Sequence, residues 1–318
     1  MSRLRWIGPL LVALCLCGVP SAAAAAAAPR CNGEAALCAR TFDRVVLAGA
    51  HNAMSAAEEG FQFPNQRIGI AKQLQLGVRA FLIDAYYAHV GPDGKVVKDD
   101  VKAPGDGLYL CHIVCENGAT PLAVALRTMT TFLDAHPGNV LELDVEDYVS
   151  PGDFAAEVTA AGLDKHLYRG KPGPRWPTLA TMIATRGQVV VLAEHSDGGP
   201  LVPWWHEGYA GVLQETPYTF KTPSLLTSPS QRKASCAPNR GGRIGSLLLM
   251  NHWSPPFAPT ATESRKVNAR SAIYGRALAC RKRRGLMPTT IATDRVDVGG
   301  LLAAVHALNA LKPAPAAR

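Results

Sequence analysis

The chain is poor in charge and in aromatic side chains. Only 18% of its 318 residues are Asp, Glu, Lys or Arg and 7% are Phe, Trp or Tyr, while 47% are hydrophobic. That balance excludes a disordered polymer and leaves ample material for a core. No internal repeat and no long linker divides the sequence, although its length alone suits either one large barrel or two ordinary domains. The one dense basic run, Arg281-Lys282-Arg283-Arg284, has no interleaved aromatics and no DNA-binding motif beside it. A nucleic-acid partner is therefore not expected, and the run reads as a solvated face. Acidic residues are absent from the first 28 positions, where Arg3 and Arg5 precede an apolar stretch from Ile7 to Val19 and small residues from Ser21 to Ala28. This is the pattern of a signal peptide over residues 1–28, which implies export to the periplasm or the medium. Leu14 and Leu16 before Cys15 and Cys17 argue against a lipoprotein signal, and Pro20 with the alanine run argues against an uncleaved anchor. Beyond this leader, 31 Lys and Arg face 25 Asp and Glu, a balance of +6 that suits anionic partners such as phospholipid head groups.

Export changes how cysteine is read. Six cysteines remain after the leader, and an even number in an exported chain suggests disulfides. Sequence order suggests Cys31–Cys38, Cys111–Cys115 and Cys236–Cys280, although spacing alone leaves the connectivity open. Zinc at Cys111-His112-Ile113-Val114-Cys115 is the alternative, and no second Cys/His cluster completes such a site.

Five apolar runs each end in a polar or ionisable residue. Val45–Ala50 leads into His51-Asn52, Val78–Ile83 into Asp84, and Leu108–Cys111 into His112; Val140–Val145 leads into Glu146-Asp147, and Thr290–Thr293 into Asp294. Short apolar runs bounded by turn signals read as strands. Helical stretches are expected between them at Gln66–Leu76, from an N-cap at Thr120 with Pro121 in the first position, at Phe154–Ala161, at Leu179–Ala184 and at Leu301–Leu311. Further strands are expected at Val189–Ala193 and Ser246–Met250, with irregular chain between Gly198 and Arg243. The alternation predicts one α/β barrel over residues 29–312 with a disordered tail at 313–318. In such a barrel the carboxyl ends of the strands form the mouth where catalysis sits. Alternation along Glu142, Asp144 and Glu146 turns three carboxylates to one face, and an inward orientation is expected because the outer face packs helices.

Two histidines at strand ends suggest an acid–base pair, since imidazole titrates near neutral pH and serves either role. Asn52, Asp84 and Glu146 offer oxygen ligands, which favour calcium or magnesium over zinc. Asp294 is a candidate to orient a histidine. Trp204-Trp205 with Tyr209 reads either as an interfacial patch or, with more weight, as local packing. His195, His206 and His252 receive no catalytic role.

The segments Ala48-Gly49-Ala50-His51-Asn52-Ala53-Met54-Ser55 and Gln73–Asp84, followed by Leu110-Cys111-His112 and Asn139–Tyr148, resemble the X-region of phosphatidylinositol-specific phospholipases C. The likeness is specific across Cys31 to Val149 and thinner beyond, and it is nearest to the cysteine-containing exported branch. It implies a distorted TIM (β/α) barrel and a PLC-like phosphodiesterase acting as a phosphoric diester hydrolase or lyase on a phosphatidylinositol-like lipid at a membrane surface, as a monomer. His51 would be the general base and His112 the general acid. Asn52, Asp84 and Glu146 would hold Ca2+, with Mg2+ as the alternative, because Asp84 stands where calcium-independent members carry an arginine. Leu82 departs from the pattern, standing where calcium-dependent members have a glutamate ligand, and Asp144 or Asp147 would have to compensate. Arg79, Asp144 and Asp294 are supporting candidates for substrate binding. The other reading is an inert lipid-head-group binding protein on the same barrel.

Overall fold

The computed structural model describes residues 1–2, 28–253 and 260–312. Nearly all of the leader expected at 1–28 and the whole tail expected at 313–318 lie outside the described residues. The first half of the chain contains β1 (Leu47–Ala50), α1 (Ile70–Leu76), β2 (Ala80–Val90), β3 (Val96–Asp99), β4 (Gly107–Leu110), β5 (Thr120–Pro121), α2 (Leu122–Ala135), β6 (Leu141–Asp147) and α3 (Pro151–Ala160). The second half contains α4 (Leu179–Ala184), β7 (Val189–Ala193), β8 (Trp205–Glu207), β9 (Leu213–Glu215), α5 (Ser224–Thr227), β10 (Leu247–Asn251), α6 (Ala261–Val267), α7 (Arg270–Arg284), β11 (Thr290–Thr293) and α8 (Leu301–Asn309).

All pairings along the path β8-β7-β6-β2-β1-β11-β10-β9 are parallel, and the last strand, β11, closes back onto β1. Among the described residues β8 and β9 do not pair, so the sheet is a TIM-type barrel left open between these two three-residue strands. The opening falls inside the stretch expected to be irregular. Gly49 lets β1 close tightly on β11, because a Cβ there would meet Thr290 Cγ2 at 3.1 Å and the Ala292 backbone at 3.2 Å.

Strand parity separates two cores. Leu47, Ala80, Val190, Leu192, Leu213, Leu247, Leu249 and Ala292 fill the barrel interior as one buried cluster. Their neighbours of opposite parity, such as Ala48, Phe81, Ile83, Leu143, Val145 and Val191, pack in a second cluster with helix residues including Leu126, Met129 and Ile273. In α2 the buried residues Leu122, Ala125, Leu126, Met129 and Leu133 recur at helical spacing and form its inner stripe.

Four expectations need correction. The run ending at His112 is not a parallel barrel strand. β4 pairs antiparallel with the distal half of β2, from Ala85↔Leu110 to Ala88↔Gly107. β2 is 11 residues long and outruns the barrel, so β3, β4 and β5 build an antiparallel flap on its extension over the mouth. The helix expected from Gln66 begins at Ile70, because Gln66 and its neighbours cross back against β1 and β11. Thr120 does not cap α2; Thr120 and Pro121 pair with Leu110 and Tyr109, and Pro121 itself is the N-cap. The helix expected at Phe154 starts at Pro151, where Ser150 Oγ accepts from the Asp153 backbone N–H as its cap. The helix at Leu179–Ala184 and the strand at Val189–Ala193 fall as expected.

Candidate active site

The inward parity of each strand ends at the mouth in a polar group. His51 follows β1, its backbone N–H bonded to Thr293 O at 3.1 Å. Its Nδ1 lies 2.8 Å from Asp294 Oδ1, at the end of β11. Asn65 Nδ2 donates to the same carboxylate oxygen at 3.1 Å, while Asn65 Oδ1 accepts from Asn52 Nδ2 at 3.2 Å. Gln66 lies beneath, its Nε2 donating to His51 O at 2.7 Å and Thr293 O at 2.9 Å. The His51 ring stacks on Trp253 with centroids 3.6 Å apart and planes 2° from parallel. Asn52 itself sits at φ +44°, a left-handed position that asparagine tolerates better than most residues.

Two connected chambers share His51, Asn52, Asp84, Glu146 and Tyr218. The inner one, about 150 Å³, adds Leu82, Asp144, Glu194, Arg240, Asn251 and Trp253. The outer one, about 480 Å³, adds Tyr86, Lys98, His112 and Tyr148. The structure thus brings together the histidine pair and the three expected metal ligands, with Asp144 below them and Asp294 behind His51. Register explains the carboxylates: Leu82 pairs with Asp144 and Asp84 with Glu146 across the β2–β6 ladder. The inward face of β6 begins at Glu142, fully buried and bonded to Thr290 Oγ1 across the barrel interior.

The inner chamber carries an excess of negative charge. Burial, then Glu146 and Glu194, hold the Asp84 carboxyl well above the ordinary carboxylate range. Burial, then Glu142 and Glu194, do the same to Asp144, whose oxygens have no hydrogen-bond partner beyond the neighbouring Glu142 carboxyl. Burial pushes Glu142 up to about 7. Arg240 is the cation here. It reaches in from the β9–β10 connection, its Nε 2.7 Å from Glu215 Oε1 and its Nη1 bonded to Glu194, with its guanidinium 4.3 Å above the Tyr209 ring.

His112 hangs from the end of β4 within a short disulfide loop. Cys111 and Cys115 are bonded to each other, which removes both thiolates from any zinc site. The structure also pairs Cys31 with Cys38 and Cys236 with Cys280. Val114 N–H donates to His112 O at 2.7 Å across Ile113, a β-branched residue at φ +63°. Such a backbone is strained, and the cross-link at its base holds it. Burial chiefly, and next the His51 charge, lower the His112 imidazole to about 4, while Asp294 works in the opposite direction.

Other candidates fall elsewhere. Arg79 does not join the mouth: it lies at the start of β2, bonded to Asn139 Oδ1 and to the carbonyls of Leu74 and Val78. Asp147 cannot replace the ligand missing at Leu82, because its strand parity is opposite and its Oδ1 accepts the backbone N–H groups of Glu194 and His195. Trp204 and Trp205 are buried, and Trp205 packs 4.8 Å from the Phe154 ring, so they serve packing and not an interface. His252 is fully buried among Val267 O and Arg276, and His195 sits beside Asp147. Sequence reading missed Arg240, Asn65, Trp253 and Asn251, which come from loops or from thinner motif territory. Only the inward parity of Leu247, Leu249 and Asn251 offered a signal. Among the described residues one group gathers three His or Asp ligand atoms within 4.8 Å: His89, Asp99 and Asp106, on the flap, where Asp99 also lines the rim of the outer chamber and the other two line neither chamber.

Comparison with known proteins places this geometry. The PI-PLC X 1 family model matches residues 37–309. A PI-PLC X domain-containing protein 1 of Arthroderma benhamiae is 26% identical over 98% of this chain and 99% of its own length. A PI-PLC X domain-containing protein of Arabidopsis thaliana is 26% identical over 84% of this chain, which spans 62% of that relative. Among solved structures, the phosphatidylinositol-specific phospholipase C of Listeria monocytogenes aligns with TM-score 0.50 at 15% identity, over 87% of this chain and 98% of the other. That of Staphylococcus aureus aligns with TM-score 0.54 at 12% identity, over 86% and 95%. These structures share the barrel fold.

Proposed function

Because this chain belongs to the PI-PLC X family, we propose that it is an exported phosphodiesterase that cleaves a phosphatidylinositol-like phospholipid by histidine acid–base catalysis. The observation that carries the reading is the His51–Asp294 contact of 2.8 Å at a chamber that also holds His112. Asp294 fixes the tautomer and orientation of the imidazole, leaving Nε2 as the base. His51 takes the proton of a hydroxyl adjacent to the phosphoester, and that oxygen bonds to phosphorus. The bond from phosphorus to the diacylglycerol oxygen breaks, and His112 gives that oxygen a proton. The product is a cyclic phosphodiester, which water opens in a reversal of the same proton transfers. Burial makes His112 a weak base, and the negative charge of a bound phosphodiester favours its protonated form.

A divalent cation fits the inner chamber. Asp84 and Asp144 are buried carboxyls crowded by like charge, and the Asp144 oxygens have no partner beyond the Glu142 carboxyl. Asn52, Asp84 and Glu146, with Asp144 in place of the side chain missing at its register neighbour Leu82, are an all-oxygen set suited to Ca2+ or Mg2+. When bound, the cation would supply positive charge for the phosphoryl oxygens in the transition state. Arg240 is held by Glu194 and Glu215 and adds fixed charge nearby. The three disulfides support an exported protein. Leu82 favours the second reading, an inert head-group binder, since it puts an apolar side chain where a ligand is wanted. Product analysis on a panel of phospholipids, with and without Ca2+, tests the proposal. Cleavage of phosphatidylinositol to a phosphorylated inositol supports it; head-group binding without turnover on every lipid sinks it in favour of the inert binder.

A further inference from the structure

A cavity of about 670 Å³ lies at the opposite end of the barrel, beneath the starts of β1, β9, β10 and β11. It shares no residue with the chambers at the mouth. Six cationic side chains line it: Arg40, Arg44, Arg243, Arg281, Arg284 and Lys312, against one carboxylate, Asp43. Among the described residues none of the six forms an ion pair. The rest of the lining is largely apolar, with Val46, Ile244, Met287, Leu308 and Leu311.

Arg284 is the centre of this arrangement. It is only 7% exposed, and its Nη atoms donate solely to neutral acceptors: Glu215 O, Ala237 O, Gln214 Oε1 and Gly242 O. Its Nε has no partner at all. Against burial, the Glu215 charge favours its ionised form, but no carboxylate bonds to it, and a buried guanidinium with an unmade donor bond is costly unless an anion completes it. Arg281 and Arg284 belong to the basic run that reads as a solvated face in the sequence, yet the fold turns both toward this cavity and buries one.

We propose that this cavity is a second ligand site, for a single-chain amphiphile with an anionic head. The volume lies within the range of small-molecule sites, roughly 300–1,000 Å³. Guanidinium forks match phosphate and carboxylate geometry. An acyl or alkyl chain would cover Ile244, which is 80% exposed, together with Met287 and Leu311. A free inorganic anion would leave that apolar wall in water, and a cationic amphiphile would meet uncompensated like charge.

Calorimetry on the full chain with dodecyl phosphate, held below its micelle concentration, tests the site. Saturable one-to-one binding is expected, retained in His51→Ala and weakened about tenfold or more in Arg44→Glu/Arg281→Glu, given the usual worth of charged hydrogen bonds. Both arginines are partly exposed, so that variant is expected to unfold at the wild-type temperature; each single change serves if the pair does not fold. Inorganic phosphate and dodecyltrimethylammonium are the comparison probes, and neither is expected to bind comparably. No binding, equal binding by either comparison probe, or affinity unchanged in the charge-reversed variant overturns the proposal. Loss of binding in His51→Ala overturns it too, by moving the amphiphile to the mouth.

Discussion

Trp253 lies flat on the imidazole of His51, with ring centroids 3.6 Å apart and planes 2° from parallel. Asp294 holds the same ring at Nδ1, 2.8 Å away. One contact sets the rotation of the ring and the other its tilt. Neither neighbour comes from the element that carries His51.

These two supports have separable effects. Removing His51 takes away the base, so His51→Ala is expected to abolish phosphodiester turnover, a loss of about 10²–10⁴-fold or more. Trp253→Leu keeps the base and loosens it, and a misplacement of the ring is expected to cost about 10- to 100-fold in kcat with little change in KM. Steady-state kinetics on a soluble phosphodiester measures both. A Trp253→Leu enzyme with unaltered kcat removes the positioning role.

The register pair Leu82 and Asp144 makes the metal question testable. Leu82→Glu restores a carboxylate beside Asp84 and Asp144, adding like charge to an already crowded chamber. Its apo form is expected to melt below the wild type, and Ca2+ to recover the loss. A cation at a hundred times its dissociation constant stabilises the folded state by about 2.7 kcal/mol. Melting temperatures over a Ca2+ series, with Mg2+ alongside, give the result; indifference of both proteins to either ion leaves these side chains as structural carboxyls.

Asp144→Asn removes a buried charge that burial, Glu142 and Glu194 all oppose. Its carboxyl sits above the ordinary value, so the ionised form penalises folding most at neutral and alkaline pH, and the penalty fades as acid protonates it. In metal-free buffer Asp144→Asn is expected to raise the melting temperature at pH 8 and to gain less at pH 5. A gain that grows toward acid reverses the sign and refutes the assignment.

Acid should act on His112 in the other direction. Burial first, then the His51 charge, hold it near 4, whereas the unfolded imidazole titrates near its ordinary 6.5. The unfolded chain therefore binds the extra proton first, and the stability contributed above pH 6.5 is lost as pH falls toward 4. Urea midpoints across that window should drop for the wild type and flatten in His112→Gln. For kcat/KM, which reports the free enzyme, the alkaline limb should lie below pH 6.5. A limb near pH 8 excludes His112 as the free enzyme's acid.

The Cys111–Cys115 bridge closes the loop that carries His112 and the strained Ile113. Paired substitution of Cys111 and Cys115 by Ser is expected to lower kcat by about tenfold while the remaining fold melts normally, since geometry of the acid is lost before the core is. Kinetics and thermal unfolding, read together, separate the two.

Much of this protein is legible in its residues. Short apolar runs bounded by turn signals placed β1, β6, β7, β10 and β11, and strand parity turned Glu142, Asp144 and Glu146 into the barrel, because outward positions must pack helices. The helix boundaries were less legible. Pro151 and Ser150 extended α3 beyond its apolar stripe, and Gln66 was drawn out of α1 by three hydrogen bonds, to His51 O, to Thr293 O and from the Val296 N–H, at the far ends of β1 and β11. His112 shows the limit more sharply. An apolar run before a histidine looks the same whether its strand is parallel or antiparallel, and only its pairing with the overlong β2 decides.

Sequence by itself determined the polar strand ends and the inward carboxylates, because short-range periodicity and residue type carry that information; it offered Asp294 as a partner for a histidine, and only the structure chose His51. Tertiary structure alone decided what stands opposite them. Arg240 enters the chamber from the β9–β10 connection, Trp253 covers His51, and Arg284 leaves its solvated run to be buried at the barrel's far end. Such contacts join residues tens to hundreds of positions apart. Their energies depend on burial and on neighbouring charge, which no local pattern encodes.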